Sequence, residues 1–296
     1  MALSTYNIDK HNLIPNRNNL THKGRCGKLA ILAGSLSMIG AAILAAKAAY
    51  RSGVGIVYLF TIDTAVPMLN MMYPEVVVFS LKSKNGFVSD IALDEILSKL
   101  NTLNINALVI GPGLGINQEV KSLVTQLLTK IEKKIPIIID ADGLKVLNIN
   151  DVVNCSNIIL TPHPKEFDIL FKTNVAKVKN YDEDRLNIIK SIVKNLNCVI
   201  ILKGFHTLVA NNLYCYQNRT GNSGMATAGS GDVLSGVLGS FVAQRNDLYH
   251  NAVSSVYIHG LAGDASYQEK GIGLIASDIV DSLPKAIKNI NNQSVL

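Results

Sequence analysis

Short runs of apolar residues without polar alternation recur along the chain, and most of them end in Gly, Asp, Pro or Thr or just before such a residue. Strands of a parallel sheet have this pattern because helices cover both of their faces. The runs predict buried strands at residues 29–33, 55–61, 76–80, 107–111, 136–140, 157–161 and 198–203.

Segments with helical periodicity separate these runs and predict helices at 41–51, 91–100, 119–131, 183–195, 233–243 and 252–267. Two shorter runs, 207–210 and 213–216, predict a hairpin at the sheet edge. The alternation indicates an α/β fold with a mostly parallel central sheet, helices on both faces, and ligands at the carboxyl ends of the strands. Neither a linker nor a repeat interrupts it, so a single domain over residues 1–296 is expected.

One apolar stretch raises the question of a membrane span. Residues 29–46 carry no charge and reach the lower length limit for a spanning helix. Gly34, Ser35 and Ser37 interrupt the stretch at the point where a strand would give way to a helix. Because the N-terminus also has no apolar signal region, we expect a soluble, cytoplasmic protein without membrane contact.

The charge and cysteine content narrow the possible partners. Of 296 residues, 17% are charged and the net charge is +6, with scattered lysines and no interleaved aromatic residues. This indicates a solvated surface and no nucleic-acid partner, although the positive charge would help to attract a polyanionic small molecule. The four cysteines lack metal-ligand spacing, so reduced and mostly buried thiols are expected.

Polar residues follow four of the predicted strands: GPGLG at 111–115, DAD at 140–142, TPHPKE at 161–166 and Lys203-Gly204. The glycines favour either a tight turn or a close backbone approach to a substrate. Asp140 and Asp142 could hold Mg²⁺ through water, but Asp142 is better placed to cap a helix, and the role of Asp140 stays open.

Two histidines stand out by their surroundings. His163 lies between two prolines that restrict the backbone on either side, which favours a placed contact over a purely structural role. Glu166 follows in the first helical turn, where it could complement the helix dipole. His259 lies in an apolar segment and is expected to be a satisfied core or interface residue.

The strongest chemical signal is GNSGMATAGSGDVLSG at 221–236, where Asp232 is the only charged residue. An apolar helix begins directly behind it. Gly229, Ser230 and Gly231 would supply backbone N–H groups that form an anion hole at the helix start. Asp232 would then activate a hydroxyl towards a phosphoryl group held there, because phosphoryl transfer depends mostly on positioning and electrostatics.

Taken in order, these motifs resemble the ADP/ATP-dependent NAD(P)H-hydrate dehydratases of the ribokinase-like superfamily. The matching segments are 22–35, 40–53, GPGLG, DADGL at 140–144, LTPHPKEF at 160–167, LKGFHTLV at 202–209, GNSGMATAGSGDVLSG and HGLAGD at 259–264. The resemblance implies a ribokinase-like fold. It also implies a repair reaction in which the hydroxyl of the S form of NADHX or NADPHX is phosphorylated and phosphate is eliminated, restoring NADH or NADPH.

The resemblance also implies roles for individual residues. Asp232 would be the catalytic base. The substrate contacts would be Ala42, with Ala41 as the alternative, Gly113, His163 and Asp232. The nucleotide contacts would be Lys203, Gly204, Phe205, His206, Thr207 and Gly231. Glu166 would act on the Mg²⁺ cofactor indirectly. Phe205 and His206 depart from the small residues usual in the family at this loop.

ADP or ATP would be the co-substrate, with ADP favoured. A separate NAD(P)H-hydrate epimerase is expected as a functional partner, because the dehydratase-like motifs begin at His22. A homo-oligomer is expected, with a tetramer as the candidate assembly. The alternatives are a small-molecule kinase of the same superfamily, such as a thiamine-precursor kinase, and a non-catalytic adenine-nucleotide sensor. The TPHPKEF segment and the fuller glycine stretch favour the dehydratase over the kinase, and the intact Asp232 and glycines favour it over the sensor.

Overall fold

A computed structural model of the chain describes residues 4–8, 12–15, 17, 19–131 and 134–293. The predicted strands are confirmed, each within one residue of its predicted bounds. The strands are β1 Ser4–Thr5, β2 Lys28–Leu32, β3 Ile56–Ile62, β4 Val77–Leu81, β5 Ser83–Lys84, β6 Phe87–Val88, β7 Ala107–Ile110, β8 Ile137–Ile139, β9 Ile158–Leu160, β10 Val199–Leu202, β11 Leu208–Ala210 and β12 Tyr214–Gln217.

Ten of these strands form one sheet in the order β1-β12-β11-β10-β9-β8-β7-β2-β3-β4, and β5 and β6 form a separate hairpin. Only the pairs β10–β11 and β11–β12 are antiparallel in the large sheet. The predicted hairpin is therefore confirmed as β11–β12. Its predicted position at the sheet edge is wrong, because β1 pairs with β12 outside it.

The six predicted helices are also confirmed, with four further helices between and after them. The helices are α1 Ile39–Arg51, α2 Val66–Met72, α3 Leu93–Thr102, α4 Gln118–Lys130, α5 Asp142–Val146, α6 Pro164–Phe171, α7 Tyr181–Val193, α8 Ser230–Gln244, α9 Leu248–Lys270 and α10 Ala276–Gln293. Helices α1, α8, α9 and α10 pack together, and α3 to α6 form a second group in contact along the chain.

Small residues bring α8 close to α1. A Cβ atom added to Gly236 would lie 2.1 Å from the Ala45 carbonyl oxygen and 2.8 Å from the Ala48 Cβ, so only glycine fits this contact. Because α8 also packs on β2 and β7, its first turn comes to lie at the carboxyl edge of the parallel strands. The packing therefore positions the GSGD segment beside the strand ends.

The uncharged stretch 29–46 does not form one long helix. Its first part lies in β2 and its last part in α1, with a turn between them. Across the described ranges, no helix combines the length and the apolar character that a bilayer span requires.

Candidate active site

Asp140 lies at the carboxyl end of β8 and is 1% exposed. Its carboxylate accepts hydrogen bonds from Lys203 Nζ at 2.6 Å, from Thr161 Oγ1 at 2.7 Å and from Ser235 Oγ at 2.6 Å. These partners come from the end of β10, the end of β9 and helix α8. Asp140 thereby ties two neighbouring strand ends to the helix that carries Asp232.

The charge of Asp140 is stabilised by these partners. Burial alone would raise the pKa of Asp140, but the Lys203 ammonium and the three hydrogen bonds outweigh burial and lower it. Lys203 itself reaches the start of α8, because a Cβ atom added to Gly231 would lie 3.5 Å from Lys203 Nζ. A fixed positive charge therefore lies beside the first turn of this helix.

The first turn of α8 is the segment predicted to form an anion hole. Gly229 precedes the helix with a φ of 88°, a left-handed conformation, and a Cβ atom there would lie 2.5 Å from Leu44 Cδ1. The first N–H groups of a helix have no intrahelical acceptors. The Ser230 N–H makes one long hydrogen bond, of 3.4 Å, to the Thr227 carbonyl oxygen.

Asp232 is half-buried in this first turn. Burial raises the pKa of its carboxyl, the nearby Asp140 carboxylate raises it further and Lys203 opposes both, so that the pKa lies at about 7. A carboxyl group with a pKa near neutrality can accept a proton from a substrate hydroxyl and release it again at neutral pH.

His163 is the N-cap of α6, and it forms a reciprocal pair with Glu166. The His163 N–H donates to Glu166 Oε2 at 3.0 Å, and the Glu166 N–H donates to His163 Nδ1 at 3.2 Å. Since Nδ1 accepts a hydrogen bond, the ring proton lies on Nε2, which is 3.3 Å from Glu166 Oε1. Burial lowers the pKa of His163, which keeps the ring neutral at neutral pH, and 46% of the side chain stays exposed.

The glycine segment 111–115 approaches the backbone of other segments closely at two positions. A Cβ atom at Gly111 would lie 1.8 Å from the Asp140 carbonyl oxygen, and one at Gly113 would lie 2.4 Å from the Met38 carbonyl oxygen. Both residues have positive φ angles, as does Gly115. The predicted tight turn is therefore present, and the close approaches at Gly111 and Gly113 are to the protein's own backbone.

The prediction that Asp142 caps a helix is wrong. Asp142 is the first residue of α5, and Ala141 occupies the cap position with a φ of 47°. The Asp142 carboxylate instead accepts the Gly115 N–H at 2.9 Å and pairs with Lys145 Nζ at 2.9 Å. Contacts from a distant loop, which local sequence does not reveal, decide its role.

The two alternative alanines differ in accessibility. Ala42 is fully buried in α1, whereas Ala41 is half-buried and its Cβ would lie 3.0 Å from a Cβ atom at Gly113. Ala41 therefore packs next to Gly113, which is itself buried.

Hydrogen bonds to its backbone carbonyl oxygens hold the loop from Lys203 to Thr207 in place. Arg185 of α7 is 1% exposed and donates to three carbonyl oxygens: those of Leu202 at 3.2 Å, Lys203 at 3.0 Å and Phe205 at 2.7 Å. Gly204 has a φ of 133°. A Cβ atom there would lie 2.7 Å from the Tyr181 hydroxyl oxygen, so glycine is required at this position.

Side-chain contacts also shape this loop. The Thr207 hydroxyl donates to the Gly204 carbonyl oxygen at 2.9 Å. His206 adopts a left-handed φ of 51° and places Nδ1 2.8 Å from the Asp182 carboxylate. Sequence reasoning missed Arg185 and Asp182, because their only local signal is a place in the first turns of a predicted helix.

His259 is buried, as expected, but it is not satisfied. Its Nε2 atom has no hydrogen-bond partner among the residues that the structure describes. Burial lowers the pKa of His259 to about 4, so the ring is neutral at neutral pH.

Within the described part of the chain, no cluster of three or more His, Cys, Asp or Glu side chains could hold a metal ion. The donor set at the strand ends therefore fits a divalent cation only if other ligands supply most of its coordination. Mg²⁺ is commonly held in this way, through waters and substrate phosphates.

Comparison with solved structures defines the class of protein. A ribokinase-like superfamily protein from Enterococcus faecalis superposes with a TM-score of 0.79 at 24% identity, covering 96% of this chain and 95% of that chain. The ADP/ATP-dependent NAD(P)H-hydrate dehydratase from Bacillus subtilis, co-crystallised with ATP/Mg²⁺, superposes with a TM-score of 0.78 at 29% identity, covering 97% and 100%. The chain is a ribokinase-like α/β protein.

Sequence comparison then defines the family. The family model described as NAD(P)H-hydrate dehydratase matches residues 29–285. The ADP-dependent (S)-NAD(P)H-hydrate dehydratase of Neisseria meningitidis serogroup B is 37% identical over 268 residues, which span 88% of this chain and 84% of that protein. The chain belongs to the NAD(P)H-hydrate dehydratase family.

Several other relatives are longer proteins. The bifunctional NAD(P)H-hydrate repair enzyme Nnr of Dictyoglomus turgidum is 35% identical over 272 residues, which span 91% of this chain and 52% of that protein. The chain spans about half the length of the bifunctional relatives that it matches.

Proposed function

We propose that the chain is a single ribokinase-like dehydratase domain that converts the S form of NADHX or NADPHX back to NADH or NADPH, with ADP or ATP as co-substrate. The observation that carries the proposal is the pairing of Asp232, whose pKa is about 7, with the Lys203 ammonium at the start of α8. Family membership supplies the substrate class.

The chemistry fits this pair. Asp232 accepts the proton of the hydrate hydroxyl as its oxygen attacks the terminal phosphoryl group of the nucleotide. The N–H groups of Gly229, Ser230 and Gly231, together with Lys203, stabilise the charge on the phosphoryl oxygens. Phosphate then leaves with the help of the ring nitrogen's lone pair, and loss of the proton on the neighbouring ring carbon restores the reduced nicotinamide.

The remaining residues divide between the two ligands. Gly113, His163 and Ala42, with Ala41 as the alternative to Ala42, are proposed to contact the hydrate. Lys203, Gly204, Phe205, His206, Thr207 and Gly231 are proposed to contact the nucleotide. His163 suits a substrate contact because its ring is neutral, half-exposed and fixed as the Nε2–H tautomer.

Mg²⁺ is proposed as the cofactor, held mainly by the nucleotide phosphates and water. Glu166 would lie in its outer shell, because both carboxylate oxygens already face His163. The ion would neutralise phosphate charge when bound.

ADP is favoured as the donor, in line with the Neisseria meningitidis relative, whose name gives ADP dependence. A separate NAD(P)H-hydrate epimerase is proposed as functional partner, since bifunctional relatives combine two activities in one chain. A cytoplasmic homo-oligomer is proposed, and molar mass from light scattering tests the assembly.

The test is an assay with NADH hydrate, Mg²⁺ and either ADP or ATP, following the recovery of reduced-nicotinamide absorbance. We expect recovery that requires a nucleotide, and the better nucleotide identifies the donor. Asp232→Asn should reduce the rate by about 10²-fold or more, because it removes the base. Asp94→Asn, at an exposed position of α3, is the matched control and should leave the rate unchanged.

Folded protein that binds adenine nucleotide but restores no NADH with either donor would exclude the dehydratase. The search would then move to the hydroxyl substrates of small-molecule kinases.

A further inference from the structure

The tip of the β10–β11 loop exposes an aromatic ring. Phe205 is 67% exposed, and its ring centroid lies 6.2 Å from that of Tyr181. Its ring stacks on His206, with ring centroids 3.7 Å apart and an angle of 30° between the planes. We call this pair the aromatic stack. Because the contact with His206 covers part of the ring, the exposed remainder offers an apolar aromatic surface to a ligand.

Contacts from three polar side chains hold the aromatic stack in place. Asp182 lies 2.8 Å from His206 Nδ1, and Arg219 Nη1 lies 3.0 Å from His206 Nε2. Arg185 holds the carbonyl oxygen of Phe205 at 2.7 Å. A ring that is already fixed loses little conformational entropy when a ligand packs against it.

The aromatic stack also lies within reach of the anion hole. The side chain of Lys203 ends beside Gly231, at the start of α8. Phe205 is two residues further on, so its Cα lies within about 7 Å of the Lys203 Cα. A nucleotide whose phosphates contact Lys203 and the α8 N–H groups can therefore extend its base towards the loop tip.

We propose that Phe205, supported by His206, stacks against the purine base of the nucleotide co-substrate. This inference rests on the proposed function and adds the site that recognises the base. Every nucleobase has a flat π-surface, and aromatic side chains bind such surfaces by stacking. The Arg219 guanidinium contacts His206 and leaves a positive charge beside the aromatic stack.

The first experiment measures nucleotide affinity and turnover in two matched variants. Phe205→Ala should raise the Kd for ADP, measured by calorimetry, by about tenfold, the effect typical of one lost stacking contact. Phe205→Ala should raise KM for the nucleotide more than it lowers kcat. Phe205→Tyr keeps an aromatic ring at this position and should restore the wild-type Kd and KM. Leu213→Ala removes an equally exposed apolar side chain from the neighbouring β11–β12 turn and should leave both constants unchanged.

The second experiment uses the absence of tryptophan from the chain. Phe205→Trp introduces a single indole, whose fluorescence ADP should quench and pyrophosphate should not, because pyrophosphate has no base. Leu213→Trp, the control, should respond to neither ligand.

If Phe205→Ala is active and has the same Kd and KM for ADP as the wild-type protein, the stacking site is overturned and the proposed function stays intact. Equal quenching of Phe205→Trp by pyrophosphate and ADP would overturn it as well. A wild-type chain that binds no adenine nucleotide in calorimetry would overturn both proposals together.

Discussion

Asp232 gives the site its dependence on pH. Its pKa is raised to about 7, chiefly by burial and then by the Asp140 carboxylate. A base must be ionised to accept a proton, so the active form predominates above pH 7 and is lost as pH falls.

We expect kcat/KM for the hydrate to fall about tenfold per pH unit below pH 7 and to level off above it. The profile is measured from pH 5.5 to 8.5. At each pH, the loss of NADH that occurs in the absence of enzyme is subtracted. A flat profile between pH 6 and 8 would contradict the assignment of Asp232 as the base.

Asp140 is predicted to be important for both stability and pH dependence. Asp140→Asn removes the partner of the Lys203 ammonium and should lower the free energy of unfolding by about 2–4 kcal/mol. It also removes a negative charge that raises the pKa of Asp232, so the midpoint of the pH profile should move to lower pH.

Urea unfolding and the kcat/KM profile test the two effects separately. Asp94→Asn removes an exposed carboxylate from the first turn of α3, so it should leave the midpoint unchanged and lower the free energy of unfolding by less than about 1 kcal/mol. A stable Asp140→Asn protein with an unchanged midpoint would show that the carboxylate does not act on Asp232.

Residues differ in how much of their role the sequence reveals. The GSGD segment is informative by itself because glycines, a lone acid and an apolar helix follow one another directly. Asp140 and Arg185 are not, since their partners lie on separate segments of the chain. The local sequence of Asp142 predicts a helix cap. The Asp142 carboxylate instead accepts a hydrogen bond from the Gly115 N–H, which lies in another loop.

At the scale of elements, the contact between α1 and α8 positions the anion hole. The helices approach closely at Gly236, where any Cβ atom would meet the Ala45 carbonyl oxygen at 2.1 Å. Displacing α8 there would also displace Gly229 to Asp232 at its start.

Gly236→Ala should therefore lower the free energy of unfolding by about 1–3 kcal/mol, the usual cost of overpacking. It should also raise KM for the nucleotide. Gly40→Ala is the matched control, since a Cβ atom there has no neighbour within 4 Å, and it should be neutral or stabilise α1 by up to about 1 kcal/mol. The free energies of unfolding of both variants are measured by thermal or urea unfolding. A Gly236→Ala protein that is as stable as Gly40→Ala would contradict the packing argument.

The elements that the sequence predicts are those with unbroken patterns. All seven predicted parallel strands are continuous apolar runs, and each is found within one residue of its place. Helix α10 escaped prediction because Asn and Lys dilute its pattern and Pro284 lies inside it. Its buried residues are nevertheless spaced as on one helical face: Ile279, Val280, Leu283, Ala286 and Ile290.

At the scale of the whole molecule, charge favours the encounter with a nucleotide. The chain carries a net charge of +6, and Lys203 and Arg219 lie in or beside the proposed nucleotide loop. Such long-range attraction weakens as salt shortens the screening length, which is about 10 Å at 0.1 M ionic strength.

KM for ADP should rise several-fold between low salt and about 0.3 M NaCl, while kcat changes little. Sucrose at matched osmolality serves as the uncharged control and should leave KM unchanged. A KM that is independent of salt would mean that short-range contacts alone recruit the nucleotide.

Arg185 affects which substitutions the chain can tolerate during evolution. It holds the β10–β11 loop through carbonyl oxygens, which every amino acid possesses. Apart from the left-handed backbone conformation at His206, the path of the loop therefore depends little on which side chains stand at 205 and 206. Replacements at these two positions can accumulate without unfolding the protein, so preference for one nucleotide over another is open to selection. A library randomised at 205 and 206 should yield mostly folded proteins with diverse co-substrate choice.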